Sequence, residues 1–176
     1  MRFAFSMLVL LAGCGQTTRT AGPTSDGPAQ ESWWQWHANK RDVDIAVSEA
    51  TDPPSNDYAK AVQIIRSSDR PEAVKEHEIG LLIVGSFGRP GVHRPPETLE
   101  QGLELIENAA NSVGETREYT PQHLRLIFER GAGLAPNNIP VDPVVANCWH
   151  KLENGGSGDP ARCIELRRQR LPHVGQ

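Results

Sequence analysis

The stretch Leu124-Arg-Leu-Ile-Phe-Glu-Arg-Gly131-Ala-Gly133, resumed at Asp142-Pro143 by Val144-Val-Ala-Asn-Cys-Trp149-His-Lys-Leu152 and closed by Gly155-Gly156, decides the fold class. Leu124, Ile127 and Phe128 share one face at helical spacing, and Gly131 is the residue type that ends a helix. Asp142 is a favoured N-cap, and Pro143 suits the first helical position, where its missing N–H costs nothing. The second segment places Val145, Cys148, Trp149 and Leu152 on one face. The pair reads as a helical hairpin, with Thr120-Pro121 as the expected start of its first helix.

Outward from this hairpin the same grammar recurs. Asp159-Pro160 repeats the Asp-Pro device and opens a last helix to about Arg170, with Cys163, Ile164 and Leu166 or Leu171 inward and Pro172 ending it. Upstream, Pro96 is the expected start of a helix with Leu99, Gly102, Leu103, Ile106, Ala109, Ala110 and Val113 in one wide apolar stripe, followed by a polar connector from Gly114 to Glu118. Glu72 to about Gly85 carries Ala73, His77, Gly80, Leu81 and Val84 on one side and Ile79, Leu82 and Ile83 around the rest, which predicts the most buried helix. A buried strand over Ile79 to Val84 is the alternative that periodicity leaves open. Asp57 to Ser67 sets Tyr58, Ala61, Val62 and Ile65 on one helical face. Glu31 to Ala50 is read as a helix, although Val43, Ile45 and Val47 alternate with strand period. The expected fold is all-α: about six to seven helices in a short helix-turn-helix stack over residues 31–172, with a tail at 173–176.

Internal similarity supports a stack. Ile79-Gly80, a glycine turn and Leu99 to Ala110 parallel Leu124-Arg125, the Gly131 to Gly133 turn and Val144 to Leu152, at an offset of roughly 43–45 residues. One such unit cannot bury its own apolar face, so neighbours must pack together. Phe128, Gly131, Gly133, Ala146, Trp149 and Lys151 in the second unit, and Gly80, Ala109 and Ala110 in the first, resemble the Sel1-like repeat family, relatives of the tetratricopeptide repeats. Arg125 stands where that family usually has Gly, Leu152-Glu153 where it has a pair of alanines, and the loops are longer. The resemblance implies a protein-binding scaffold, since the matched residues are packing positions and none is catalytic.

The amino terminus has a different logic. Met1-Arg2 gives a basic start, Phe3 to Leu11 an apolar run too short to span a bilayer, and Leu11-Ala12-Gly13-Cys14 follows. This resembles the bacterial lipoprotein signal, which implies cleavage after residue 13 and lipidation of Cys14. Gly15, rather than Asp, follows the cysteine, which favours an outer-membrane address facing the periplasm. Residues 14–30 are polar and poor in apolar side chains, so they read as a flexible tether reaching roughly 20–24 Å.

Cys148 and Cys163 remain, an even count in a compartment that permits disulfides. A bridge across the Gly/Ser turn, two reduced core cysteines, and a metal site with His150 are the three readings; the spacing matches no paired zinc-ligand pattern.

Composition narrows function by exclusion. The 176 residues carry a net charge of −4 and 38% hydrophobic residues. With a pI near 5.9, the chain lacks the basic footprint of a nucleic-acid binder. No nucleophile-elbow, zinc-protease, P-loop or dinucleotide motif occurs, so neither a cofactor nor a catalytic set is expected. His77 is read as a hydrogen-bonded core residue, and His93 and His150 as surface residues; His37 and His123 carry no more specific pattern. Glu97, Glu100, Glu104 and Glu107 are read as a solvated helix face. Arg162, Arg167, Arg168 and Arg170 are read as cations favoured at a helix carboxyl end. The candidate partner-binding residues are Trp33 and Trp36, beside Trp34, and Arg89, Arg94 and Arg130 at the glycine turns; the alternative for the tryptophans is to cap the open end of the stack. The functional expectation is a lipid-anchored binding module for another protein, in one form a neutraliser of a secreted effector, as the resemblance to Sel1-containing lipoproteins implies. An envelope structural adaptor, or an enzyme acting on cell-wall material, is the alternative.

Overall fold

The computed structural model describes residues 41–112, 116–153, 156, 158–172 and 174. Cys14, the tether, Trp33, Trp34 and Trp36 lie outside the described residues. Among those described, seven helices and one small hairpin follow in order: α1 (residues 41–51), α2 (Tyr58–Arg66), α3 (Glu72–Phe87), α4 (Leu99–Asn111), α5 (Thr116–Arg130), β1 (Ala132–Leu134), β2 (Asn137–Ile139), α6 (Pro143–His150) and α7 (Pro160–Arg170). The all-α class therefore holds, and Ile79 to Val84 is helical. No helix among the described residues is long and apolar enough to cross a membrane.

Short polar side chains set the helix starts. Asp57 accepts from the Lys60 N–H at 2.9 Å, Asp142 from those of Val144 and Val145, and Asp159 from that of Ala161; each satisfies donors that a first turn leaves orphaned. Three expected boundaries move. The fourth helix starts at Leu99 rather than Pro96, because Thr98 and Gln101 close a reciprocal capping box. The fifth begins at Thr116, so Pro121 lies inside it. Its first turn is tied to the end of α4, where Thr116 Oγ1 donates to the Ala109 carbonyl at 3.1 Å and meets Ser112 Oγ at 2.8 Å; local anchoring outweighs the bond that Pro121 cannot make. Finally, the turn after Gly131 contains a β-hairpin, with Ala132 opposite Ile139 and Leu134 opposite Asn137. Gly131 and Gly133 both take positive φ, 73° and 81°, which glycine alone adopts without strain.

Neighbouring helices pack in chain order, and the α3–α4 interface is the most extensive. It depends on two glycines. A Cβ on Gly80 would lie 2.5 Å from Ile106 Cγ1 and 2.6 Å from the Gly102 carbonyl, and one on Gly102 would lie 2.6 Å from Ile83 Cγ2. The main core gathers Leu103, Ile106, Leu124, Phe128, Val145 and Trp149, with Ala109, Ala110 and Ala146 also buried. A smaller cluster, Val62, Ile65, Ile79 and Ile83, sits beneath α1. Helix α7 folds back onto α4 as well as α6, and Val174 beyond it is buried in the main core.

Cys148 and Cys163 are joined by a disulfide, with Cα atoms 5.6 Å apart. The reduced pair and the metal site with His150 therefore fall away. The glutamate face and the arginine run also need correction. Arg167 is 2% exposed and Glu107 1%; the Arg167 Nε and a terminal nitrogen donate to the two Glu107 oxygens at 3.0 and 2.6 Å. Its other nitrogen donates to Glu100 at 2.6 Å. Glu97 pairs with Arg66, and Arg170 donates to the second oxygen of the α6 cap Asp142 at 2.7 Å. Charges four or seven positions apart on a helix look solvated until a partner helix brings its own cation to them.

Candidate functional site

An open groove of about 510 Å³ runs over the face formed by α1, α2 and α3. Helical spacing on α1 brings Val47, Ser48 and Thr51 to one wall, and α3 supplies Leu81, Leu82 and Gly85 to the other. Val47, Leu81 and Leu82 remain half-buried, so the lining has apolar surface that the described helices do not cover. This surface has a sequence signal: α3 is apolar on nearly every side, more than one neighbouring layer can bury. The groove itself was not legible, because it needs α1 and α3 side by side.

Charge is distributed unevenly along the groove. At one end the nearly buried Arg70 bridges Asp44 of α1 and Glu78 of α3. Burial works against this cation, yet its bonds to the two carboxylates prevail and hold its pKa above the ordinary guanidinium value. At the other end Arg89 is exposed, its guanidinium 5.8 Å from the Tyr58 ring centre. Arg94 lies beside it. Its guanidinium stacks 5.0 Å from the Phe87 ring centre, its Nε donates to the Ser86 carbonyl at 3.2 Å, and a terminal nitrogen reaches the Arg89 carbonyl at 3.5 Å. Backbone pairing fixes the segment that carries Arg94: the His93 N–H donates to the Asn56 carbonyl and the His93 carbonyl accepts from Ala59.

Two of the sequence-derived partner candidates, Arg89 and Arg94, are thus brought together. Among the described residues neither forms an ion pair, whereas Arg66, Arg70, Arg125, Arg167 and Arg170 all do. Arg130 is exposed at the end of α5. Trp33 and Trp36 fall outside the described residues. The remaining candidates, Gly80, Ala109, Ala110, Phe128, Gly131, Gly133, Ala146 and Trp149, serve packing or turns.

A second polar cluster joins α3 to α5. His77, 4% exposed, has its Nδ1 3.0 Å from Thr120 Oγ1. Its ring stands edge-on to Tyr119 and 4.9 Å from the His123 ring. Burial, reinforced by His123, lowers the His77 pKa to about 4, and burial lowers that of His123. Both imidazoles are therefore neutral near pH 7. The core reading of His77 holds, and His93 and His150 are exposed; the pairing with His123, 46 residues later, had no signal beyond the helical period. Among the described residues no ion pair links either ring to a carboxylate, as acid/base work by a histidine commonly uses, and no group of three or more His, Cys, Asp or Glu could hold a metal ion. The groove is the stronger candidate for function.

No protein-family model, curated protein or solved structure matches the chain.

Proposed function

We propose that this chain is a protein-binding module, anchored by a lipid on Cys14 and facing the periplasm, that grips its partner along the α1–α3 groove. The observation that carries this reading is the junction of half-buried apolar side chains at Val47, Leu81 and Leu82 with the guanidinium groups of Arg89 and Arg94, which form no ion pair among the described residues. Apolar contact area supplies affinity, and fixed charges at its edge supply orientation. The Cys148–Cys163 bridge supports the compartment, because structural disulfides persist where the environment is oxidising. The Leu11 to Cys14 box supports the anchor. One concrete form is neutralisation of a secreted effector, supported by the likeness of the anchor and repeat residues to Sel1-containing lipoproteins.

The test is a pull-down with the chain from Gly15 onward, against its own envelope extract and the products of adjacent genes. A stoichiometric complex lost on Leu82→Asp, with the helical circular dichroism unchanged, is the expected result. Absence of any partner over a range of salt concentrations would count against the reading and direct effort to cell-wall fragments as ligands.

A further inference from the structure

We infer that the segment taken by the α1–α3 groove is acidic and amphipathic, setting an apolar side chain between Val47 and Leu82 and a carboxylate on Arg89. This rests on the binding-module reading and adds the chemistry of the occupant. Charge complementarity carries it. Arg66, Arg70, Lys75, Arg125, Arg167 and Arg170 are paired with carboxylates of the fold, and Arg70, at the far end of the same groove, holds two. Arg89 and Arg94 have none among the described residues; Arg94 is held by the Phe87 face and the Ser86 carbonyl, and the Arg89 guanidinium lies 5.8 Å from the Tyr58 ring centre.

A guanidinium fixed by stacking loses less freedom on binding than one extended into water. Arg94 spends its Nε and a terminal nitrogen on the Ser86 and Arg89 carbonyls, whereas the exposed Arg89 guanidinium donates no hydrogen bond among the described residues and keeps its fork for a planar carboxylate with two parallel bonds. A basic segment is disfavoured twice: it meets two cations at this end, and at the other end Asp44 and Glu78 are already engaged by Arg70. A wholly apolar segment would fill the floor and leave the arginines without a role. Gly85 has open space where a Cβ would stand, so the wall of α3 lets another backbone approach closely next to Arg89.

The experiment is selection of short random peptides displayed on phage against the full-length chain in detergent, followed by synthesis of the consensus peptide. Enriched sequences are expected to pair an acidic with an apolar residue. Loss of one charge-assisted contact should weaken the consensus peptide about tenfold or more in Arg89→Glu, and replacing its acid by lysine should restore binding to that variant. Leu82→Asp should abolish binding. Arg89 is exposed and forms no ion pair among the described residues, so its variants should keep the thermal midpoint of the parent. Enriched peptides without an acid, or binding indifferent to both variants, would overturn the inference while leaving the binding-module reading in place. No enrichment at low salt would overturn it too, and the reading would then stand or fall on the pull-down alone. Enrichment that arises only when Trp33, Trp34 and Trp36 are replaced by alanine would mean that the chain's own segment covers the groove, and would sink the assignment to a partner.

Discussion

The α1–α3 end and the α4–α7 end of this molecule solve the same problem differently. In α4–α7 the fold closes on itself: α7 is bonded covalently to α6 through Cys148–Cys163 and ionically to α4 through Arg167. In α1–α3 the described residues leave the layer open, with a small core of Val62, Ile65, Ile79 and Ile83 under half-covered leucines. Cross-links reduce the freedom of the unfolded chain and fix one arrangement, whereas an open face keeps surface available for another molecule. On the proposed function, stability and binding lie at opposite ends of one chain, and the contrast can be broken in steps.

The largest effect is expected at Arg167. Burial pushes the Glu107 carboxyl above its usual range against the pull of Arg167, while the bonds to Glu107 and Glu100 hold the Arg167 cation on despite its own burial. Arg167→Met leaves Glu107 buried without its cation and should cost about 3–5 kcal/mol in urea unfolding. Adding Glu107→Leu should recover most of that, because the desolvation of two charges disappears together. A double variant as unstable as the single one would show that the pair is not what joins α7 to α4.

Replacing both Cys148 and Cys163 by alanine should cost about 3 kcal/mol, the chain-entropy value for a closed loop of this length. The two are separated by 15 residues. The loss should appear as a lower denaturation midpoint with little change in peptide binding, since the groove lies on other helices. Equal damage to binding would mean that the two ends are coupled.

The α3–α5 junction should make stability depend on acid. His77 is held near 4 in the fold against an ordinary value of 6.5, so above pH 6.5 its contribution is fully present. Between pH 6.5 and about 4 the unfolded chain binds a proton that the fold resists, and stability falls by at most about 3 kcal/mol. His123 adds in the same direction. His77→Gln should flatten the urea midpoint over this range; an unchanged slope would assign the dependence elsewhere.

The smallest test compares two glycines of one helix. Gly80→Ala forces a methyl against Ile106 and the Gly102 carbonyl, and should cost about 1–3 kcal/mol. Gly85→Ala meets open space in the same α3 and should stabilise by about 0.5–1 kcal/mol through helix propensity. Thermal melts of the two variants should move in opposite directions.

Much of this was legible along the chain. Tyr58, Ala61, Val62 and Ile65 were readable as one buried face because the helical period repeats within eight residues, and the Asp142-Pro143 and Asp159-Pro160 starts because a cap acts on its own first turn. The start of α5 was misplaced because its anchor is on α4, and the hairpin after Gly131 was missed because each strand has three residues, too few for alternation to register. Of the candidate site, Arg89 and Arg94 were singled out by their place beside glycine turns. That no described carboxylate pairs with them could be known only after the other helices had been laid down.

By itself, then, the sequence determined the helices, their caps and the apolar face of each, since those follow from contacts within one or two turns. Tertiary structure decided which charges are buried, that Cys148 meets Cys163 rather than remaining reduced, and that the described helices leave one face between α1 and α3 open. Glu107 and Arg167 lie 60 residues apart, and at such separations the partner of a side chain is set by how helices pack, which the local period does not encode.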